Sequence, residues 1–200
     1  MLLTPSKPNP EVRIEQPLIT WAQFKLIQHG FADSRSIRLA YYDGVLEIVS
    51  TSVEHELIKT IIGALLELYF LEMEIEFFPM GQATQEKAEQ VSLQPDESYS
   101  FGSAKKIPDL AIEVILTSGN TEKLKKYYLL GVPEVWLWED GVLDIYQLAV
   151  NGQLSDRQYQ KSSASKFLPN LDIATLQRCI LCTSPLEALK TFRQTFQQSL

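Results

Sequence analysis

The chain has 200 residues, a formal net charge of -7 and a pI near 4.9, with 45% hydrophobic and 22% charged residues. These values fit one ordinary globular domain and exclude a disordered or fibrous chain. The acidic balance excludes general clinging to nucleic acid through an evenly basic surface, although basic residues gathered along one cleft would still suit an anionic substrate.

Residues 1–17 hold Pro5, Pro8, Pro10 and Pro17 among polar residues and read as an extended N-terminal arm, leaving residues 18–200 as a single domain. Thr20 and Gln23 form a capping box ahead of Trp21, Phe24 and Ile27, which recur at helical spacing. The runs Ile37 to Tyr42 and Val45 to Ser50 alternate as strands around Asp43-Gly44, a strong hairpin signal. From Val53 to Leu71 the apolar residues are too continuous for an outer helix, so a long helix packed across a sheet is expected.

Ile75 to Phe78 reads as a strand, Gly81 to Gln90 as a polar connection, and Val91 to Phe101 as a strand broken at Pro95-Asp96. Ile107 to Leu116 is almost continuously apolar, as in a central strand covered on both faces. A helix from Thr121 to Leu130 ends at Gly131, and Asp140-Gly141 joins strands Glu134 to Glu139 and Val142 to Leu148. The core thus spans about residues 20–150. Beyond it come a strand from Ser162 to Leu168 and two helices over about residues 174–200, the last opened by Ser184-Pro185 with Glu187 and suited to packing or dimerisation.

Cys179 and Cys182 form an isolated C-x-x-C with no second pair or flanking histidines, so they are expected as two reduced thiols, at least one buried in a helix. No run reaches the ~18 apolar residues of a membrane span, and no leader pattern is visible, which sets the expectation of a soluble, cytoplasmic protein.

Burying a carboxylate is costly unless it is paired, hydrogen-bonded or metal-bound, so Asp96, Asp109 and Glu113 are the residues that simple folding logic leaves over. On one strand Asp109 and Glu113 share a face but stand ~13 Å apart, too far to ligate one ion. Asp96, seventeen positions before Glu113, can occupy the neighbouring antiparallel strand. Strands ~4.8 Å apart let two facing carboxylates share a small hard cation such as Mg²⁺. Phosphodiester hydrolysis uses such an ion to polarise the phosphoryl oxygen and activate water, and a nearby lysine steadies the developing charge.

Pro95-Asp96, Glu113 and the segment PDLAIEVILTSGNTEKLKKYYLLGVPEVWLW resemble the Uma two family of restriction-endonuclease-like proteins, a branch of the PD-(D/E)XK nuclease superfamily. The resemblance runs from about Trp21 to Leu148. It implies an α/β fold with a mixed central sheet of four or five strands flanked by helices, an N-terminal hairpin and C-terminal helices, together with Mg²⁺ or Mn²⁺ binding and a nuclease-type activity. The superfamily lysine, two residues after the acid, is replaced here by Ile115. The resemblance implies that Lys123 substitutes from the following helix, in K-x-x-x-Y with Tyr127; Lys125 and Lys126 are expected to point into solvent.

His55-Glu56 resembles the family motif at the start of the first long helix, making Glu56 an outer helper, although an acid near a helix N-terminus also has a purely electrostatic reason to be there. His55 is expected in a supporting or packing role. Pro108-Asp109 resembles the family as well, so Asp109 is a further metal ligand, a water-mediated contact to the ion, a strand-capping residue or a residue that bonds a loop.

The expectation is a Mg²⁺-dependent endonuclease acting on DNA, with Asp96 and Glu113 as ligands and Lys123 and Glu56 in support. Fold-level analogy adds a homodimer. The alternatives are a nuclease-fold module that binds a protein or nucleic-acid partner without hydrolysis, and an assembly protein built on the terminal helix.

Overall fold

The computed structural model describes residues 11–34, 36–116, 120–149 and 158–197. In chain order the first half runs β1 (Val12–Gln16), α1 (Trp21–Gly30), β2 (Ile37–Tyr42), β3 (Val45–Ser50), α2 (Val53–Glu72), β4 (Phe77–Pro79), β5 (Gln85–Lys87) and β6 (Val91–Leu93). The second half runs β7 (Glu97–Phe101), β8 (Leu110–Ile115), α3 (Asn120–Leu130), β9 (Glu134–Glu139), β10 (Val142–Ala149), β11 (Gln158–Ser162), α4 (Ile173–Ile180) and α5 (Pro185–Gln197).

Among the described residues the strands form two sheets, an antiparallel one of order β1-β3-β2-β6-β5 and a mixed one of order β11-β10-β9-β8-β7-β4. The mixed sheet arises because β8 and β9 run parallel, so the chain must cross between them, and α3 is that crossover. The expected α/β fold with a mixed central sheet and flanking helices is present. Among the described residues the sheet has six strands, however, and a second sheet has five, where the resemblance implied one sheet of four or five.

Strand alternation sorts the core. Leu110, Ile112 and Val114 of β8, with Trp136 and Trp138 of β9, pack under α2, α4 and α5. Ala111, Ile115, Val135 and Leu137 take the opposite face, against Tyr127 and Leu130 of α3 and Val91 and Leu93 of β6. The smaller sheet buries Leu39, Tyr41 and Leu46 against Phe24 of α1. The other face of β2 and β3, carrying Arg38 and Glu47, lines the cavity in which Glu113 and Lys123 stand.

Local expectations meet the structure unevenly. Thr20 accepts from the Gln23 amide at 3.3 Å and Gln23 Oε1 accepts from the Thr20 N–H at 2.8 Å, closing the capping box. Asp43-Gly44 and Asp140-Gly141 are left-handed at both residues, as a tight hairpin turn requires. Cys179 is buried and Cys182 exposed, both free thiols.

Three expectations need correction. The arm does not stay irregular: Val12–Gln16 pairs with β3 from Ser50 to Leu46, because its alternating residues offer a free strand edge a partner; residues 1–10 lie outside the described residues. The polar connection contains β5, which pairs with β6. The strand expected from Ser162 to Leu168 lies earlier, as β11 against β10, and Ser165 turns instead to the buried Glu134. In α5 the apolar stripe is used internally, Phe196 packing edge-on to Tyr69 of α2 at 5.4 Å between ring centres. No helix among the described residues is long and apolar enough to cross a membrane.

Candidate active site at the junction of the two sheets

β6 ends in the smaller sheet and β7 begins in the larger one, so Gln94, Pro95 and Asp96 carry the chain between them. Pro95 has no N–H to offer a ladder, which suits a point where one sheet is abandoned. Asp96 rejoins order at once, its N–H donating to the Ile112 carbonyl at 3.1 Å. The ladder proper begins at Glu97 opposite Ile112, and Asp96, just before it, is held on Ile112 and Val114 of β8, the two chain neighbours of Glu113.

Asp96 is 0% exposed. Its Oδ2 accepts from the Val114 N–H at 2.7 Å and lies 3.2 Å from His55 Nε2, while Oδ1 is ion-paired with the Arg38 guanidinium. One carboxylate is therefore held by β8, by α2 and by β2 together.

Glu113 is clasped at both oxygens from α3. Lys123 Nζ donates to Oε2 at 2.6 Å and the Tyr127 hydroxyl donates to Oε1 at 2.5 Å. The four-residue spacing of Lys123 and Tyr127 puts both on one helix face, which is why K-x-x-x-Y can grip a single carboxylate. Burial, and the Glu113 carboxylate beside it, push the Tyr127 phenol well above its ordinary pKa, so it stays a donor.

Glu56 stands on the rim, 42% exposed at its side chain. Arg38 reaches its Oε1 at 3.0 Å and Lys59 its Oε2 at 2.8 Å. Partial burial raises its pKa, but Lys59, Arg38 and His55 outweigh that and hold it below the usual carboxylate value. Glu56 thus joins Asp96 through the shared Arg38. Gln82, with its amide oxygen turned toward the cations, accepts from Lys59 at 2.8 Å and Arg38 at 2.7 Å. His55 is buried; burial first, and the Arg38 charge second, lower its pKa to about 4, so the imidazole is neutral near pH 7.

Asp109 belongs to the far end of the β7–β8 pair. Its Oδ2 accepts from the Phe101 N–H at 2.8 Å and from Lys105 at 2.5 Å, and its own N–H donates to the Tyr99 carbonyl at 2.9 Å. Four residues of strand, ~13 Å, separate it from Glu113. The structure brings Asp96, Glu113, Lys123 and, through Arg38, Glu56 together, and it does not bring Asp109 to them.

Several residues around the site were not found by sequence reasoning, Gln82 and Arg13 among them. Arg38 and Glu47 alternate with apolar neighbours on their strands, so each reads as solvent-facing, yet that face of the sheet is turned to the site. Lys126 was expected in solvent and is instead 5% exposed, ion-paired with the buried Glu47, which Arg13 also approaches at 3.3 Å. Burial pushes the Glu47 carboxyl up, but Lys126, Lys123 and Arg13 outweigh it and leave it below its usual value. Lys125, paired with Glu122 at the surface, behaves as expected.

A cavity of about 50 Å³ lies beside these residues; its charged lining comprises Arg13, Arg38, Lys123 and Lys126 against Glu11, Glu47 and Glu113, with Asp96 and Glu56 behind the lining rather than in it. Cations outnumber carboxylates there, in a chain whose net charge is -7. The volume accommodates water or a small ion rather than a nucleotide, so a polymeric anion would present one phosphate at the mouth. Among the described residues no three of His, Cys, Asp and Glu gather as a metal-holding set. The buried carboxylates of Asp96 and Glu113 remain, an all-oxygen donor pair. That pair fits Mg²⁺ or Mn²⁺, which keep several waters and bind through one or two carboxylates, and does not fit zinc.

The Uma2 family model, described as "Putative restriction endonuclease", matches residues 21–177. No curated protein matches the chain. Among solved structures, one described as a putative nuclease belonging to DUF820 from Anabaena variabilis ATCC 29413 is similar at 13% identity over 77% of this chain and 90% of that one, with a TM-score of 0.42. The family match covers more than half of the sequence, from α1 into α4, and includes each residue from Arg38 to Tyr127 that builds the site. The chain belongs to the Uma2 family of restriction-endonuclease-like proteins.

Proposed function

We propose that this protein is a divalent-metal-dependent nuclease that hydrolyses phosphodiester bonds in DNA, with Mg²⁺ or Mn²⁺ held by Asp96 and Glu113. What supports this reading is a pair of buried carboxylates, Asp96 held on the Val114 N–H next to Glu113 in the chain, and Glu113 bonded by the Lys123 ammonium. A bound ion would polarise a phosphoryl oxygen and lower the pKa of a water on it.

The chain's own residues do the rest. Lys123, partly open to the cavity, offers positive charge where negative charge grows on the phosphate. Tyr127 holds Glu113 in place while Lys123 exchanges partners. Arg38 and His55 fix the Asp96 carboxylate, and Glu56 and Gln82 fix Arg38. Asp109 serves this reading only as a brace of the β7–β8 pair, not as a ligand. Plasmid and single-stranded DNA incubated with Mg²⁺ or Mn²⁺ should be cut by the wild type and left whole by Glu113→Ala; cleavage that survives this change refutes the assignment.

One observation favours a second reading. Each oxygen of Asp96 and Glu113 already has a protein partner, so the site is electrostatically complete without an ion, as in a nuclease-fold module that binds without hydrolysis. Titration calorimetry decides: heat with Mg²⁺ or Mn²⁺ that disappears in Asp96→Asn supports the nuclease, and no heat supports the module.

A further inference from the structure

Arg38, Leu39 and Gln94 line the site cavity and also a larger concavity of about 630 Å³ beside it. This groove runs between the end of α1, the start of β2 and the chain around β5. Gln28 and Phe31 stand on one wall, Gln82, Thr84 and Glu86 on the other. Lys25 of α1 bonds Gln28 at 2.6 Å and Glu86 of β5 at 3.0 Å, tying the helix to the smaller sheet.

We propose that the groove receives an unpaired stretch of DNA strand continuing from the phosphate at the cavity mouth, so that the substrate is single-stranded or locally unwound DNA rather than continuous duplex. This rests on the nuclease reading above. Four features carry it. The groove is contiguous with the cavity through three shared wall residues, so a strand can occupy both. Its volume falls within the ~300–1,000 Å³ of pockets that enclose a small organic ligand, enough for a short run of nucleotide and too confined for a duplex.

Reading a duplex needs a helix or ribbon that protrudes into a groove ~12 Å wide, whereas this face is concave. Its lining also matches bases more than phosphates. Gln28, Gln82 and Gln94 each have one end of the amide engaged, by Lys25, by Lys59 and Arg38, and by Thr84. Each presents the other end to the edge of an unpaired base, while Phe31, 38% exposed, offers a ring for stacking. The charges are few, Lys25 and Arg38 against Glu86. Because Arg38 Nη2 donates to Gln82 at 2.7 Å while Nη1 holds Asp96, a strand in the groove touches the network that orients the catalytic carboxylate.

The test is fluorescence anisotropy of a labelled 12-nucleotide single strand and of the matching duplex, in EDTA so that neither metal binding nor cleavage enters the signal. The single strand should bind the wild type more tightly than the duplex. Phe31→Ala should weaken single-strand binding by about fivefold or more, the loss expected for one base–aromatic stack, with duplex binding unchanged. Phe31→Trp, which keeps a stacking ring, should bind as well as the wild type, and matching thermal melts exclude misfolding as the cause.

Equal affinity of Phe31→Ala and wild type for the single strand overturns the proposal, as does a wild type that prefers duplex. Cleavage measured separately keeps the two readings apart. Strand binding without cleavage under Mg²⁺ or Mn²⁺ overturns the nuclease and leaves the groove, whereas cleavage with Phe31→Ala indistinguishable from wild type in affinity and KM overturns the groove and leaves the nuclease.

Discussion

The buried Glu47–Lys126 pair gives the sharpest prediction. It joins the smaller sheet to α3, the helix that presents Lys123 and Tyr127 to Glu113. Removing one member of a buried pair typically costs about 3–5 kcal/mol, because the other charge is left without a counterion. Lys126→Met should lie at the lower end, roughly 3 kcal/mol, since Arg13 still approaches Glu47 at 3.3 Å. In a chain of this size that lowers Tm by roughly 6–12 °C.

Glu47→Leu should be at least as damaging, leaving an ammonium buried alone. The double variant Glu47→Leu with Lys126→Met should recover much of the loss, because apolar replacement of both members removes the unpaired charge. The sign with pH is fixed as well. Glu47 has a folded pKa below its usual 4.5, so the pair's contribution is complete above pH 4.5 and is lost as pH falls through the folded value. The gap between wild type and Lys126→Met should therefore close in acid. Urea and thermal unfolding of the four proteins at pH 7 and below pH 4 measure all of this. Single variants within about 2 °C of wild type at pH 7, or singles whose losses simply add in the double, refute the reasoning.

Further outcomes follow from the same geometry. Tyr127→Phe removes a buried donor to an ionised acceptor, so stability should fall by about 1.5–3 kcal/mol in urea unfolding, with slower cleavage as Glu113 loses one of its two restraints. His55 should titrate by NMR near pH 4; between pH 6.5 and about 4 the unfolded chain takes up a proton that the folded chain refuses, so acid should remove up to roughly 3 kcal/mol of stability in wild type that His55→Gln does not lose. Asp109→Asn should lower stability by about 1–3 kcal/mol while leaving cleavage intact at saturating metal; loss of cleavage at unchanged stability would restore Asp109 to the metal site.

How far these features were legible in the chain depended on the distance over which each is decided. Hairpins at Asp43-Gly44 and Asp140-Gly141 and the capping box at Thr20 are settled within four residues, and they are found where local chemistry places them. Glu113 stood out because an acid within an apolar run needs a local reason, and Asp96 because it follows the proline that breaks its strand. The resemblance, not spacing, supplied Lys123.

Arg38, Glu47 and Lys126 were illegible for one shared reason. Each sits on a polar stripe of an amphipathic element, and the stripe meets another polar stripe instead of water. Alternation reports that two faces of a strand differ, not what covers each one. β5, only three residues long, falls below the reach of periodicity altogether. The break at Pro95 was visible, but its result, a change of sheet, depends on partners far away in sequence.

That change of sheet has a mechanical side. Asp96 is the link between two plates, pinned to one by β8 and to the other by Arg38. Should the plates tilt apart as a strand settles against β2, the guanidinium would travel with β2 while the carboxylate stayed with β8. The anion would then shed its internal counterion as the cleft widened, so admission of a polymer and readiness to accept a hard cation would be one motion.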